Sequence, residues 1–235
     1  MNVYRTTGLR QKAEWFVLRR DGGAAGFALA SVQGRNLDSP LHRPAPSFDW
    51  FYRHEDNPDF QFVDWLVDTL VAEGTVDPHQ VYLVGWSAGG YVAQLYGLLH
   101  QRTAGGTPVA AVAAYGCGTP FGGLRPDPEP SCAMAEIPPP RTPVWLAVRA
   151  CDSFSPCSAE QAEAFDSVGH PVELWAEQLR SLGATAFQFV VIGNDGTCLP
   201  VGSRCTVRIG TAAHLTWPQA FEEQLLTFFR DHPAP

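Results

Sequence analysis

The chain is poor in charge and has no long apolar run. Charged residues make up 17% of its 235 residues, and the longest apolar stretches are strand-sized. A membrane-spanning helix needs about 20 apolar residues, so we expect no membrane span. Basic residues are fewer than acidic ones, 16 against 24, so the net charge is −8. Lys12 is the only lysine. A negative surface repels phosphate, which excludes nucleic acid and anionic membranes as expected partners.

Metal-binding patterns are also missing. No cysteine or histidine has the close spacing of a zinc site, so we expect no metal and no cofactor. The six cysteines fall into three neighbouring pairs, which favours local disulfides in an oxidising compartment. Fifteen connectivities are possible in principle, and the local one, Cys117–Cys132, Cys151–Cys157 and Cys198–Cys205, closes the shortest loops. Unpaired buried cysteines are the alternative. Cysteine usage thus predicts a secreted or periplasmic protein, although the first residues show no signal peptide.

What the chain does contain is a packed core, with 45% apolar and 11% aromatic residues. Apolar runs without strict alternation are separated by amphipathic segments, which predicts a parallel sheet with helices on both faces. The predicted strands are Phe27–Val32, Val81–Gly85, Val109–Tyr115, Val144–Ala150 and Phe187–Gly193. The predicted helices are 8–20, 59–73 (capped by Asp59), 88–100, 172–182 and 218–230. We find no repeat or linker, so residues 1–235 are expected to form a single α/β domain.

The sharpest motif is Gly85-Trp86-Ser87-Ala88-Gly89-Gly90, directly after a predicted strand and before a predicted helix. A serine displayed on a tight strand-to-helix turn needs small neighbours, so that strand and helix approach each other. The pattern predicts that Ser87 is a nucleophile and that the N–H of Ala88 helps to bind an oxyanion. An ordinary tight turn is the alternative.

A serine nucleophile needs a histidine base and an acid that orients it. In this strand-and-helix order the acid precedes the histidine. His214 lies between the last predicted strand and the last helix, so we predict that it is the base. Asp152 directly follows the strand Val144–Ala150 and is the predicted acid, with Asp195, in an Asn-Asp-Gly turn, as the reserve candidate.

With these residues in place, the chain resembles the polyhydroxybutyrate-depolymerase and feruloyl-esterase branch of the α/β-hydrolases, a secreted esterase group. The resemblance covers about residues 8–230. It is carried by the run from Val76 to Gly90, by the helix entry Asp59-Phe60-Gln61-Phe62-Val63, and by the run from Gly210 to Pro218 around His214. It implies the α/β-hydrolase fold and ester hydrolysis with Ser87, Asp152 and His214 as the triad.

The resemblance also implies that the N-terminal strands of the family's fold are short or missing in this chain. The family's third strand and its His-Gly-like oxyanion loop have no clear counterpart here. We expect either a stub strand at Asn2-Val3-Tyr4, followed by a loop in which Thr7 supplies the second oxyanion donor, or a chain truncated at its N-terminus. The aromatic residues Trp86 and Trp217 are expected to bind substrate, with Phe121 and the Trp50 region as further candidates; plain core packing is the alternative for each.

The leading functional hypothesis is a serine carboxylic-ester hydrolase. Its expected partner is a small-molecule or polymeric ester, such as a polyhydroxyalkanoate or a feruloyl or acetyl ester. We expect a monomer or a weak homodimer. One alternative is a serine peptidase of the prolyl-oligopeptidase type, which shares the Gly-x-Ser-x-Gly-Gly turn. Another is a non-catalytic binding protein on a degenerate hydrolase fold.

Overall fold

The computed structural model describes ten segments of the chain, which contain four β-strands and five α-helices. The described residues are 7–18, 26–32, 34, 57–100, 108–120, 142–149, 152, 171–184, 187–192 and 214–234. The strands are β1 (Tyr82–Trp86), β2 (Ala111–Tyr115), β3 (Val144–Arg149) and β4 (Phe187–Ile192). The helices are α1 (Leu9–Leu18), α2 (Pro58–Ala72), α3 (Ala88–Leu95), α4 (Pro171–Ser181) and α5 (Glu222–Asp231). A π-helical turn, Tyr96–His100, extends α3, and a 3₁₀ turn, Gln219–Phe221, precedes α5.

The four strands form one parallel sheet in the order β1-β2-β3-β4. Trp86 pairs with Tyr115, and Tyr115 pairs with Ala147, so the strands end near one another at the same edge. Parallel strands deliver the chain to their carboxyl ends, where the following loops build binding and catalytic sites. The sheet therefore presents the segments after β1, β2 and β3 together.

Helices cover both faces of this sheet. On one face, Phe60 of α2, Tyr91 of α3 and Trp175 of α4 belong to one apolar cluster with Val112 and Leu146. The opposite face packs Leu9 of α1 and the aromatic side of α5 on the other side chains of β2 and β3. Every residue of β2 and β3 is buried, which explains why these strands show no polar alternation. The predicted parallel sheet with helices on both faces is confirmed in the described residues.

Two local predictions are wrong. The first is the strand at Phe27–Val32, which forms no strand; Phe27 and Leu29 pack on the α1/α5 side of the sheet while Ala28 and Ala30 face solvent. The apolar run is half exposed because it lies over the core instead of inside the sheet. The second is the cap of α2. Asn57, and not Asp59, holds that position, and its side-chain oxygen accepts from Asp59 N at 2.9 Å.

Several predicted features lie outside the described residues. They are Asn2-Val3-Tyr4, the Trp50 region, Phe121, Asp195 and the cysteines at 132, 151, 157, 198 and 205. Within the segments that are described, no helix is long and apolar enough to cross a membrane.

Candidate active site

Ser87 stands on a tight turn between β1 and α3. Its φ of 54° is the only positive φ of a non-glycine residue in the described segments. The turn brings strand and helix together: a Cβ on Gly85 would lie 2.1 Å from Gly89 O, and a Cβ on Gly90 would lie 2.4 Å from Cys117 Sγ. Apart from its chain neighbours and its own helix backbone, no heavy atom lies within 4 Å of a Cβ built on Gly89. Gly85 and Gly90 are therefore the glycines that this close approach requires.

Ser87, His214 and Asp152 form one hydrogen-bonded chain. His214 Nε2 lies 2.8 Å from Ser87 Oγ, and His214 Nδ1 lies 2.8 Å from Asp152 Oδ1. A carboxylate only accepts, so Nδ1 carries the hydrogen and Nε2 is left to accept the serine proton. Asp152 is 0% exposed and His214 is 9% exposed, so the contact between them is buried, whereas the contact with Ser87 is partly buried. The structure thus brings together the three residues that the sequence proposed for a triad.

Gly116 lies directly against the side chains of His214 and Asp152. It follows β2 with a φ of +62°, and its N–H donates to Ala147 O at 2.9 Å. A Cβ at this position would lie 3.0 Å from Asp152 Oδ2 and 3.1 Å from His214 Nδ1. The missing side chain therefore leaves the space in which the His214–Asp152 pair fits.

The two predicted oxyanion donors lie in described segments. Ala88 opens α3, and the N–H groups of a helix's first turn have no carbonyl partner within that helix. The helix dipole adds positive potential at the same place. Thr7 directly precedes Gly8, whose N–H donates to Glu222 Oε1 at 2.7 Å. The N–H of Gly8 therefore already has an acceptor within the protein. The role of Thr7 as the second oxyanion donor stays a prediction.

Comparison with known proteins agrees with this architecture. The profile of the alpha/beta hydrolase family matches residues 8–226. The chain belongs to the alpha/beta hydrolase family. Among solved structures, the crystal structure of the Bacillus cereus carboxylesterase is similar at 14% identity and a TM-score of 0.38, over 82% of this chain and 73% of that one. A comparison with curated proteins finds no match. Family membership supports a hydrolase activity in general; the narrower depolymerase and feruloyl-esterase resemblance stays a prediction.

In this alpha/beta hydrolase chain, Trp86 contacts the segment that carries His214, and Trp217 belongs to that segment. Trp86 Nε1 donates to the carbonyl oxygen of His214 at 2.9 Å, and Trp217 Nε1 donates to Glu222 Oε1 at 2.6 Å. The two indole rings lie 5.9 Å apart, and Trp217 is buried. Their predicted contact with substrate stays a prediction, whereas both N–H groups already have partners within the protein.

Cys117 is a free thiol, so the predicted disulfide with Cys132 is wrong in this structure. The side chain is fully buried against Gly90, with Gln94 Nε2 at 3.4 Å from its sulfur. Burial raises the pKa of this thiol far above its ordinary value of 9.0, and the charge of Asp152 raises it further. Cys117 is therefore a protonated core residue behind the nucleophile turn.

The sequence analysis did not identify three polar side chains that are buried near the site. They are Arg149, Glu222 and Gln94. Gln94 accepts from Trp175 Nε1 at 2.6 Å and its amide nitrogen lies 3.3 Å from both Gly90 O and Gly118 O, so it links α3 to α4 and to the segment after β2. A polar residue within an apolar helix face was the available signal. No cluster of three metal-binding side chains occurs in the described segments.

Proposed function

We propose that this protein hydrolyses carboxylic esters through an acyl-enzyme, with Ser87 as nucleophile, His214 as base and Asp152 as the acid that orients it. The observation that carries the proposal is the chain of two 2.8 Å contacts from Ser87 Oγ through the imidazole to Asp152 Oδ1. The strained serine turn at the N-terminus of α3 supports it, since it displays the hydroxyl beside the N–H of Ala88.

The proposed reaction has two halves. Ser87 Oγ bonds to the ester carbonyl carbon while its proton passes to His214 Nε2, and the carbonyl oxygen becomes an oxyanion that accepts from Ala88 N–H. The carbon–oxygen bond to the alcohol then breaks, and the imidazolium protonates the leaving alcohol. Water then attacks the carbonyl carbon of the acyl-serine while its proton passes to His214. The bond from that carbon to Ser87 Oγ breaks, the imidazolium returns the proton to Ser87 Oγ, and the acid is released.

The substrate class that we propose follows the family resemblance: polyhydroxyalkanoates, or feruloyl, acetyl or similar acyl esters. No contact in the described segments favours the peptidase or the non-catalytic alternative over this one.

The test is turnover of p-nitrophenyl acetate, methyl ferulate and 3-hydroxybutyrate oligomers, together with labelling by a fluorophosphonate. Ser87→Ala is expected to abolish labelling and to lower kcat by roughly 10⁴-fold or more, since the triad acts as a unit. Asp152→Asn is expected to keep the fold and lose most of the rate, because the imidazole takes the wrong tautomer.

The matched control is Ser181→Ala, which removes a surface serine whose hydroxyl donates to Gln178 O at 2.8 Å. It should leave labelling and turnover unchanged. A parent protein that neither labels nor hydrolyses any ester contradicts the proposal, and labelling with peptide cleavage but no ester turnover would replace it by the peptidase alternative.

A further inference from the structure

The segment that carries His214 is held at two backbone carbonyls by side chains of the sheet. We call residues 214–217 the histidine loop. Trp86 Nε1 donates to the carbonyl oxygen of His214 at 2.9 Å. The carbonyl oxygen of Thr216 accepts from the Tyr115 hydroxyl at 2.9 Å and from Arg149 Nε at 3.2 Å. Three side chains thus converge on a loop of four residues.

These three donors have one structural origin. Trp86, Tyr115 and Arg149 are the last residues of β1, β2 and β3. Trp86 pairs with Tyr115, and Tyr115 pairs with Ala147, two residues before Arg149. Side chains two positions apart on a strand share a face, so all three project from one side of the sheet at its carboxyl edge. The donors form a row across three adjacent strands.

Packing holds the row in place. Tyr115 is 0% exposed and Arg149 is 2% exposed. The rings of Trp86, Tyr115 and Trp217 lie 5.6 to 6.0 Å apart, so Trp217 of the histidine loop packs on the two strand residues. A guanidinium loses its hydration when buried and is tolerated where acceptors replace the water. The carbonyl of Thr216 is one such acceptor of Arg149.

We propose that Trp86, Tyr115 and Arg149 are positioning residues for His214, an inference that rests on the proposed function. His214 must keep its two ring nitrogens 2.8 Å from Ser87 Oγ and Asp152 Oδ1, which follow different strands, whereas residues 215–217 of its own segment lie in no helix or strand. A misplacement of about 1 Å at a catalytic group costs roughly 100-fold in rate. The row transfers the rigidity of the sheet to the histidine loop and prevents that displacement.

The first test compares Tyr115→Phe with Tyr96→Phe. Each removes one buried hydroxyl, and Tyr96 is the matched control because its hydroxyl donates to Asp64 in the layer of α2. We expect Tyr115→Phe to lower kcat on p-nitrophenyl acetate about 5- to 10-fold with KM unchanged, and Tyr96→Phe to leave kcat unaltered. A Tyr115→Phe variant that loses thermal stability as Tyr96→Phe does but keeps its kcat overturns the proposal.

The second test uses the two donors to Thr216. Arg149→Met keeps most of the apolar stem and removes the donor, and Arg149→Lys restores a donor without the same geometry. We expect Arg149→Lys to recover part of the rate lost in Arg149→Met. In a His214→Ala background, Tyr115→Phe and Arg149→Met should have no further effect on the residual rate, because residues that act through one group lose their effect when it is removed. Equal losses in both backgrounds would mean a purely structural role.

A third measurement separates this proposal from the ester hydrolysis itself. The measurement follows the Nδ1–H proton of His214, which is hydrogen-bonded to Asp152, in NMR spectra of protein with ¹⁵N-labelled histidine. The signal is to be assigned by its disappearance in His214→Ala. Tyr115→Phe and Arg149→Met should speed its exchange with water, and Tyr96→Phe should not. If the parent hydrolyses no ester, the proposed function fails, while an unchanged exchange rate in the row variants overturns the positioning role.

Discussion

At the scale of single residues, two backbone positions decide the geometry of the site. Ser87 adopts a positive φ that a non-glycine residue takes only at a cost of about 1–3 kcal/mol, and such strain is found where function requires it. Gly116 adopts a similar φ and also lies against the imidazole and the carboxylate. The sequence motif identified the first position. The second follows an ordinary apolar strand and was not recognisable without its neighbours.

Gly116→Ala is expected to lower kcat strongly, although it substitutes no residue of the triad. The new Cβ would lie about 3 Å from the imidazole and from Asp152, so the His214–Asp152 pair must shift. We expect kcat on p-nitrophenyl acetate to fall roughly 100-fold, by the same misplacement argument as above. The measurement is kcat together with the melting temperature.

Gly183→Ala is the control for backbone strain at Gly116. Gly183 has a φ of +81°, but a Cβ there would meet no atom within 4 Å. It should lose about 1–2 kcal/mol of stability, the ordinary penalty for a left-handed alanine, and keep full activity. Equal kcat in the two alanine variants would show that the space at Gly116 has no catalytic consequence.

At the scale of elements, a buried carboxylate joins both ends of the described chain. Glu222, the first residue of α5, is 1% exposed. Its Oε1 accepts from Gly8 N at 2.7 Å and from Trp217 Nε1 at 2.6 Å, and its Oε2 lies 3.2 Å from Lys12 Nζ. The ammonium also donates to Gln219 O. Lys12, the single lysine of the sequence, therefore connects α1 to the start of α5 through an ion pair and a hydrogen bond close to the histidine loop.

Glu222→Gln should destabilise the protein, and Glu223→Gln should not. The amide keeps the volume of Glu222 but loses its charge-assisted hydrogen bonds, which are worth about 1.5–3 kcal/mol in such sites. Glu223 is the matched control because it is the next residue of α5 and is exposed. The measurement is the free energy of unfolding in urea. Identical midpoints for the two variants would show that the buried contacts make no net contribution.

At the scale of the whole molecule, burial suppresses the ionisation of several weak acids. Burial raises the pKa of Tyr82 to about 12, with a smaller effect from Asp77. Burial also raises the pKa values of Tyr91, Tyr96 and Cys117 well above the ordinary range, and for Tyr96 the hydrogen bond to Asp64 adds to the effect. The folded state therefore keeps protons that the unfolded chain releases in base.

Stability should decline as the pH rises above about 9. In the unfolded state Cys117 ionises near its ordinary value of 9.0 while the folded thiol stays protonated, so the unfolded state binds fewer protons and the free energy of unfolding falls. One such group lowers it by up to about 1.4 kcal/mol for each further pH unit. Below pH 8 this contribution is fully present and constant.

Cys117→Ser isolates the thiol's share of this decline. A serine hydroxyl does not titrate in this range, so the variant's melting temperature should fall less steeply between pH 9 and 10. Below pH 8 the two profiles should run parallel, offset by the cost of the substitution. Equal slopes above pH 9 would show that Cys117 ionises alike in the folded and unfolded states.

Local pattern alone determined much of this protein. The strands β1 to β4, the helices between them and the position of the serine turn followed from apolar runs and glycine spacing, because periodicity and turn chemistry depend on neighbouring residues. The choice of Asp152 and His214 followed from the chain order of the architecture, serine, acid and then histidine, and from where each residue stands relative to a predicted strand. The strand predicted at Phe27–Val32 failed because an apolar run does not reveal whether it enters a sheet or lies over one.

Tertiary structure decided everything that depends on distant partners. Asp152 and His214 are 62 residues apart, Ser87 and His214 are 127 apart, and Gly8 and Glu222 are 214 apart. Such contacts depend on how layers pack, which no local pattern encodes. Packing turned the Cys117 sulfur inward beside Gly90 and brought Arg149 to the carbonyl of Thr216. The sequence predicted the three triad residues, and the packing of distant segments decided which side chains contact them.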